Sequence, residues 1–588
     1  MKLKKLTALL LGVTMTVTML AGCGGATTTD DSSTSSTTET TTETTTESSD
    51  TAGDSTTEEA KTSYSEDEIS DFTMFITMPG SEINDDNEIA QMIGEKWGVR
   101  IKETWLTGQT ASEATGMLIA SDEYPDYIDS DDMSLLVDAG ALIPLDDYID
   151  QYPEFKEKWF TEDEWEKFRQ PDGHIYWINP FGNTKGEPTA TTHNDEAFWI
   201  QVRVLEWAGY PEIKTMDQYF QVIEDYMAAN PTMEDGTPNI PYTILCEDWR
   251  YFCLENAGQF LGGYPNDGSV IVNKDTMTIE DYNTSEDTIQ YFKKLNEEYQ
   301  KGFVDPESFT QTYDEYIAKL STGRVLGMID QWWDFAYTAG DAIKQAGLDA
   351  QGCDYIPLPI TIDESVKNQW HCSGGVLNVS DGLAITTSCE DVEAALQFVD
   401  DLLSQDIHNL RFWGVEGVDY NVDDNGEFYR TEEQRTRAVD TAYKASHTCT
   451  YSYFPQYSGT SDDGINANKP DGQANEFFDG LNDDVKEAFS AYGAETYVDM
   501  IGTNEAPGAW YPMWSYSNSF TTDTEGGMAW NKIGEIKHEY LPQVVMAKDF
   551  DAAWAEYMDA YNSCDPGAFI GELQTELDKR MEEAAKYE

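Results

Sequence analysis

Positive charge is what the chain has least of: 36 lysines and arginines stand against 110 aspartates and glutamates, a formal net charge of −74. A surface of that sign repels phosphate backbones and argues against nucleic acid as a partner. It also disfavours anionic small ligands unless a local basic pocket exists. Histidine is scarce, six residues scattered through the sequence. No H-E-x-x-H, G-x-S-x-G or P-loop pattern occurs, so zinc-hydrolase, serine-hydrolase and nucleotide-phosphate chemistry have no signature. Beyond Cys23 the cysteines are Cys246, Cys253, Cys353, Cys372, Cys389, Cys449 and Cys564, an odd number without C-x-x-C or Cys/His zinc spacing. Buried free thiols are the expectation. After residue 20 no apolar run is long enough to span a bilayer.

What is present begins with Lys2, Lys4 and Lys5, an apolar run from Leu6 to Leu20, and the small residues of Leu20-Ala21-Gly22-Cys23. This is the layout of a secretory signal peptide, residues 1–22. The last four residues resemble the lipobox of bacterial lipoproteins, which implies a diacylglycerol thioether on Cys23 and cleavage before it. Two acyl chains give stable anchoring where one is marginal. From Gly24 to about Glu68 the chain is almost entirely Thr, Ser, Asp, Glu and Gly. It lacks the apolar residues that offset chain entropy and is expected to be a disordered linker over 23–68. A flexible coil of roughly 45 residues spans on the order of 35–40 Å, a tether that lifts a domain off a membrane.

Order is expected from Ile69. Phe72, Met74, Ile76 and Met78 alternate with polar residues and predict a strand; Ile89, Met92, Ile93 and Trp97 predict a helix that Gly98 ends. The strand–helix rhythm recurs through 99–139, which argues for α/β lobes with largely parallel sheets. At 588 residues the chain is too long for one core. A strong amphipathic helix is predicted at 285–301, a buried strand at 325–329, one helix over about 334–346, and a helix after Ser388 and Asp391. The division expected is 69–190 for lobe 1, 191–354 for lobe 2, 355–388 returning to lobe 1, and 389–588 completing lobe 2. Hinges are placed near 178–192, 354–361 and 385–389.

Three stretches carry a family resemblance. They are Gly116-Met117-Leu118-Ile119-Ala120-Ser121-Asp122-Glu123-Tyr124-Pro125-Asp126 with Gly140-Ala141-Leu142-Ile143-Pro144-Leu145; Lys301-Gly302-Phe303-Val304-Asp305-Pro306 leading to Ser321-Thr322-Gly323-Arg324; and Phe412-Trp413-Gly414-Val415-Glu416-Gly417-Val418-Asp419-Tyr420. Together they resemble the large extracellular solute-binding lipoproteins of bacterial ABC importers, related to maltodextrin-binding proteins. The resemblance implies a two-lobed, periplasmic-binding-protein-like (type II) α/β fold with hinge crossovers. It implies a monomer that closes on a ligand, usually an oligosaccharide, and hands it to permease subunits and, through them, to an ATPase.

Sugars offer apolar ring faces and hydroxyl edges, which flat aromatics and hydrogen-bonding side chains match. The candidates at resembling positions are Trp332 and Trp333 after a strand end and Trp249, Arg250 and Tyr251 in one run; from the first lobe, Glu82 and Asp131 are candidates because they occupy loops after strands, where α/β sheets bind ligands. Trp510, Trp514 and His371 are further candidates. Core packing competes with ligand contact for each tryptophan, and a solvated loop carboxylate competes for Glu82 and Asp131. No cofactor or required metal is expected. Asn421-x-Asp423-x-Asn425-Gly426 with Glu432 has EF-hand spacing, but a hairpin turn is favoured, and the 230–241 loop departs from the calcium-like loop of some relatives. A lipid-anchored glycoside hydrolase or a surface adhesin are the alternatives. Carboxylate pairs are unavoidable among 110 acids and carry no signal.

Overall fold

Phe72, Met74 and Ile76 bury one face of a strand, and Gly98, at φ 77°, ends the helix Glu88–Trp97 as its left-handed cap. The computed structural model that shows this describes residues 63–586 other than 190, 194, 370–376 and 503–506. The expected signal peptide, Cys23 and most of the linker fall outside the described residues, but the linker's expected end is corrected: Glu66–Glu68 is a 3-10 turn whose Glu66 carboxylate accepts from Arg100, and Tyr64 N donates to the Glu95 carbonyl, so order begins before Ile69.

The strands of the two larger sheets are, in chain order, β1 (Ser70–Ile76), β2 (Val99–Trp105), β3 (Tyr127–Asp129), β4 (Trp177–Ile178), β5 (Glu196–Gln201), β6 (Ile240–Thr243), β7 (Val325–Gln331), β8 (Tyr355–Leu358) and β9 (Leu383–Ile385). The first sheet runs β2-β1-β3-β9-β4, with β1 parallel to β2 and β3, and β9 antiparallel to β3 and β4. The second runs β8-β5-β7-β6, where only the β7–β6 pairing is parallel. The expectation of largely parallel sheets is therefore corrected to mixed ones. A parallel pair needs a crossover within its own sheet. β5, β8 and β9 instead adjoin segments that run between the sheets, and these are the strands that pair antiparallel.

Each sheet has its own core. The first gathers Met74, Ile76, Tyr127, Ile128 and Trp177, with Leu396, Phe398, Val399, Tyr451 and Phe454 from much later in the chain. The second gathers Phe198, Trp199, Tyr219, Phe292 and Met328, with Leu541, Tyr557 and Leu573 from the C-terminal helices. Asn296 ties these helices to Glu286–Lys301 by donating to the carbonyls of Val544, Val545 and Ala547.

This corrects the division of the second half. β8 pairs with β5, so 355–358 lies in the second sheet and not in a return to the first. The apolar face of helix Val392–Asp401 is buried in the first core, so the chain does not leave that lobe at 385–389. The chain passes from one sheet to the other between β4 and β5, between β8 and β9, and between Tyr457 of the first core and Phe477 against the second. Two of these segments lie side by side, Ser458–Gly459 pairing in parallel with Thr184–Lys185.

Smaller differences are local. The helix expected over 334–346 starts earlier, at Trp332–Phe335, passes through a π-turn at Ala336–Gly340 and resumes at Asp341–Gln345. Asp391 alone caps the next helix, its carboxylate accepting from Ala394 N at 3.0 Å. The Asn421–Asn425 motif is a hairpin, Asn421–Val422 against Phe428–Tyr429, closed by Asp423 accepting from Asn425 N and Glu427 N. Cys246, Cys253, Cys353, Cys389, Cys449 and Cys564 are buried free thiols, while Cys372 lies outside the described residues. Among the described residues no helix is long and apolar enough to cross a membrane.

Candidate functional site: the space between the lobes

On the second lobe the site starts at a turn. Asp248 takes a left-handed φ of 52° and opens the single 3-10 turn Asp248–Tyr251, which carries Trp249 and Arg250. Arg250 Nε donates to both carboxylate oxygens of Asp334, at 3.0 and 3.2 Å. Its guanidinium lies between two rings, 4.3 Å from Trp249 and 4.2 Å from Tyr313. Tyr313 OH donates to the Asp334 carbonyl at 2.8 Å, closing the frame. The far end of the guanidinium is different: Nη2 is buried and has no hydrogen-bond partner.

Trp333 stacks on Trp249, ring centroids 5.9 Å apart and planes 15° from parallel, and its Nε1 donates to Gln331 Oε1. Trp332 packs against the second core. The two tryptophans diverge because they begin a helix, where neighbours point about 100° apart. Behind them Asp330, fully buried, accepts from Tyr316 OH at 2.7 Å, and burial pushes its carboxyl well above the usual range.

The first-lobe wall is acidic and aromatic. Asp129 ends β3, and Asp131 follows with its N–H donating to Thr77 Oγ1 at 3.2 Å. Asp381, just before β9, accepts from Asn378 Nδ2 at 2.7 Å and Ser380 Oγ at 3.2 Å. Tyr453 meets Trp105 and Phe181 edge-on, at 5.6 and 5.3 Å. Gly80 lets the loop after β1 lie directly on Trp105, since a Cβ there would fall 2.1 Å from the indole.

The two walls feel each other's charge. Asp131 is exposed at its own surface, yet protein surrounds it at the distances over which water would screen charge. Desolvation, then the Asp381 and Asp248 carboxylates, push its carboxyl up to about 8, with Arg250 pulling the other way. Desolvation and the Asp129, Asp131 and Asp381 carboxylates likewise raise the Tyr453 phenol, again against Arg250. Asp131 and Tyr453 belong to the first lobe, Asp248 and Arg250 to the second, so the two strand-end faces meet across this space.

The structure thus brings Trp249, Arg250, Trp333 and Asp131 together. It does not gather the other candidates. Tyr251 is stacked on His538, 3.6 Å between centroids, and donates from its hydroxyl to the His538 carbonyl. Trp510, 2% exposed, is a second-core residue, which corrects its expected place in the site. Trp514 is half-buried in the short helix Trp514–Ser517, and Glu82 is exposed on its loop. His371 lies outside the described residues. Asp248, Tyr313, Asp381, Tyr453, Trp105 and Phe181 were missed. Only Asp248 carried a local signal, as the residue preceding Trp249-Arg250. For a metal, the described residues bring Asp146, Asp147 and His174 within reach of one ion, but Asp146 already accepts from Ile175 N and faces His174 Nδ1.

With this geometry in hand, comparison with known proteins is informative. A family model described as bacterial extracellular solute-binding protein matches residues 88–417, more than half of the chain. The fructooligosaccharide ABC transporter substrate-binding protein FusA of Streptococcus pneumoniae is 26% identical over 357 residues, covering 57% of this chain and 61% of that protein. The alignment thus spans under two thirds of that relative's length. Among solved structures, S. pneumoniae FusA in complex with kestose is 19% identical and superposes over 87% of this chain and all of its own, with a TM-score of 0.57. The alginate-binding protein AlgQ2 is 16% identical over 86% of this chain and 98% of its own, with a TM-score of 0.58. At these identities the likeness shows the fold.

Proposed function

We propose, from the premise that this chain belongs to the bacterial extracellular solute-binding proteins, that it captures an oligosaccharide between its lobes and delivers it to an ABC import permease. The observation that carries this reading is the Trp249–Trp333 stack beside a buried guanidinium end with no partner, facing Asp131 of the other lobe. Trp249 is bordered by Trp333, Phe252 and Arg250, so Trp333 offers the ring face for a pyranose or furanose. Arg250 Nη2 then donates to a sugar oxygen and Asp131 accepts from a hydroxyl. Closure brings these groups onto one ligand, and the three inter-lobe segments absorb the motion. The names of the relatives, one for fructooligosaccharide and one for alginate, support a carbohydrate.

The same proposal places the chain at the outer face of a membrane, held by lipid on Cys23, with the Thr/Ser/Glu-rich stretch from Gly24 to about residue 62 as its tether. Cys23→Ser is expected to move the protein from the membrane fraction to the medium; a lipid-modified mutant still in the membrane would refute the anchor. For capture, the full-length protein is screened by thermal shift against oligosaccharides, then studied by small-angle scattering with the best binder. A raised melting temperature and a smaller radius of gyration are expected. Chemical breakdown of the saccharide during the titration would replace capture with hydrolysis, and an unchanged radius at saturation would remove closure.

A further inference from the structure

We infer that Asp341 and Gln345 of the second lobe and Lys444 of the first form a side-chain tie that sets how far apart the lobes stand. They are positioning residues, outside the two walls described above, and they govern affinity through lobe spacing. The affinity clause rests on the capture reading above; the spacing clause does not.

Each end of the tie is fixed in its own lobe. The helix Asp341–Gln345 carries Ile343, 1% exposed, into the second core. On the other side the helix Thr441–His447 is capped by Asp440, whose carboxylate accepts from Tyr443 N at 2.8 Å. Asn84 N donates to the Ala445 carbonyl at 2.8 Å, and Asn87 Nδ2 donates to those of Ala445 and Thr448 at 3.2 and 3.0 Å. Asn87 Oδ1 meanwhile caps Glu88–Trp97, which binds the two helices of the first lobe to each other. His447, 5% exposed, lies 2.8 Å from both the Glu88 and the Asp419 carboxylates.

Between these ends Lys444 Nζ pairs with the Asp341 carboxylate. Gln345 Nε2 donates to the Val439 carbonyl at 2.7 Å and reaches Thr441 Oγ1 at 3.4 Å. Arg435, one turn before Val439, adds pairs to Glu476 at 2.8 Å and Asp479 at 3.5 Å, where the third crossing arrives at the second lobe. The walls are joined by nothing comparable. Among the described residues Trp105, Asp131, Phe181, Asp381 and Tyr453 make no hydrogen bond to Asp248, Trp249, Arg250 or Trp333. The crossings are chain segments that can pivot, whereas the tie exists only while the lobes stand at this spacing. An attractive contact of that kind populates the near arrangement, and a ligand that bridges the lobes then has less ordering left to supply. Side-chain exposures of 40% for Lys444 and 20% for Asp341 leave the pair partly in water, so it biases the spacing without locking it.

Small-angle scattering of the full-length protein without ligand tests the spacing, comparing the natural chain with K444A/Q345A, K444D and D341K/K444D. K444A/Q345A is expected to have the larger radius of gyration and an almost unchanged melting temperature. K444D, which sets a like charge against Asp341, should widen the radius too, and D341K/K444D, which reverses the pair, should bring it back. Calorimetric titration with inulin-type fructans, mannan oligosaccharides and lacto-series oligosaccharides then tests affinity. Whichever of these binds the natural chain should bind K444A/Q345A about fivefold more weakly. An unchanged or smaller radius in K444A/Q345A overturns the tie, and a melting temperature that falls while the radius stays marks a merely structural contact. D341K/K444D remaining as wide as K444D removes the ion pair from the tie. A larger radius with unchanged affinity overturns the affinity clause alone. If none of the saccharides binds the natural chain, the capture reading falls, and the radius still decides the tie.

Discussion

The second-lobe wall of the cleft comes from two short stretches, Asp248–Phe252 and Asp330–Phe335, with Tyr313 alone added from elsewhere, whereas the first-lobe wall takes Trp105, Asp131, Phe181, Asp381 and Tyr453 from five separate segments. The electrostatics differ in the same way. Across the second wall the buried charge is paired, Arg250 with Asp334, at 5% and 1% side-chain exposure. Across the first, Asp129, Asp131 and Asp381 press on one another without a cation of their own. One wall therefore holds its shape through a buried ion pair and stacked rings. The other carries charge that the surrounding protein resists, and so depends on pH and on what enters the cleft.

The largest effect should come from unpairing the second wall. Asp334→Ala leaves the Arg250 guanidinium buried without its carboxylate and is expected to cost about 3–5 kcal/mol in urea denaturation. R250M/D334L, which removes both charges, should cost far less. If the single and double variants unfold at the same urea concentration, the ion pair is not what holds this wall.

Next in size is the separation of the two tryptophans. Trp333→Ala should weaken saccharide binding at least about tenfold with little change in melting temperature, since stacking on an exposed aromatic is worth about 1–3 kcal/mol in nucleic-acid binders. Trp332→Ala should lower the melting temperature and leave affinity nearly unchanged, because that ring packs against the second core. Equal losses of affinity in both variants would erase the distinction.

The smallest effect belongs to the first wall. Its sign follows from the Asp131 carboxyl standing near 8 in the folded protein, above its ordinary value near 4. The folded state then holds the proton more tightly than the unfolded chain, so this contribution is complete below about pH 4 and is lost as pH rises through about 8. Melting temperature should fall modestly over that window for this reason. Asp131→Asn should flatten that part of the profile, and an unchanged slope in the variant would remove Asp131 from the account.

How much was legible follows the same division. Trp249, Arg250 and Trp333 could be singled out because they sit beside recognisable strand ends and turns within their own stretches. Tyr453 and Phe181 could not: nothing in Tyr451–Phe454 distinguishes a ring in the first core from a ring at the cleft, and Phe454, one residue on, is fully buried. Trp510 shows the converse, since a Gly/Pro/Tyr-rich loop looks like a binding loop until its indole is found in the second core. The parting of Trp332 and Trp333 needed the structure, because a strand end before them does not show that they begin a helix.

The sequence by itself determined the α/β character and the bounds of several elements, among them the helices that Gly98 and Gly302 end, and through the family resemblance it pointed to Trp249, Arg250 and Trp333. Apolar periodicity, capping residues and left-handed glycines such as Gly98 and Gly302 act within a few residues and need no tertiary contact to be read. Tertiary structure alone decided that 389–457 stays with the first core, that β8 joins the second sheet antiparallel, and that Asp131 and Asp248 lie within each other's field from opposite lobes. The physical reason is that apolar periodicity shows that a face will be buried without showing against which partner, and that a carboxylate's behaviour depends on charges brought near it through space.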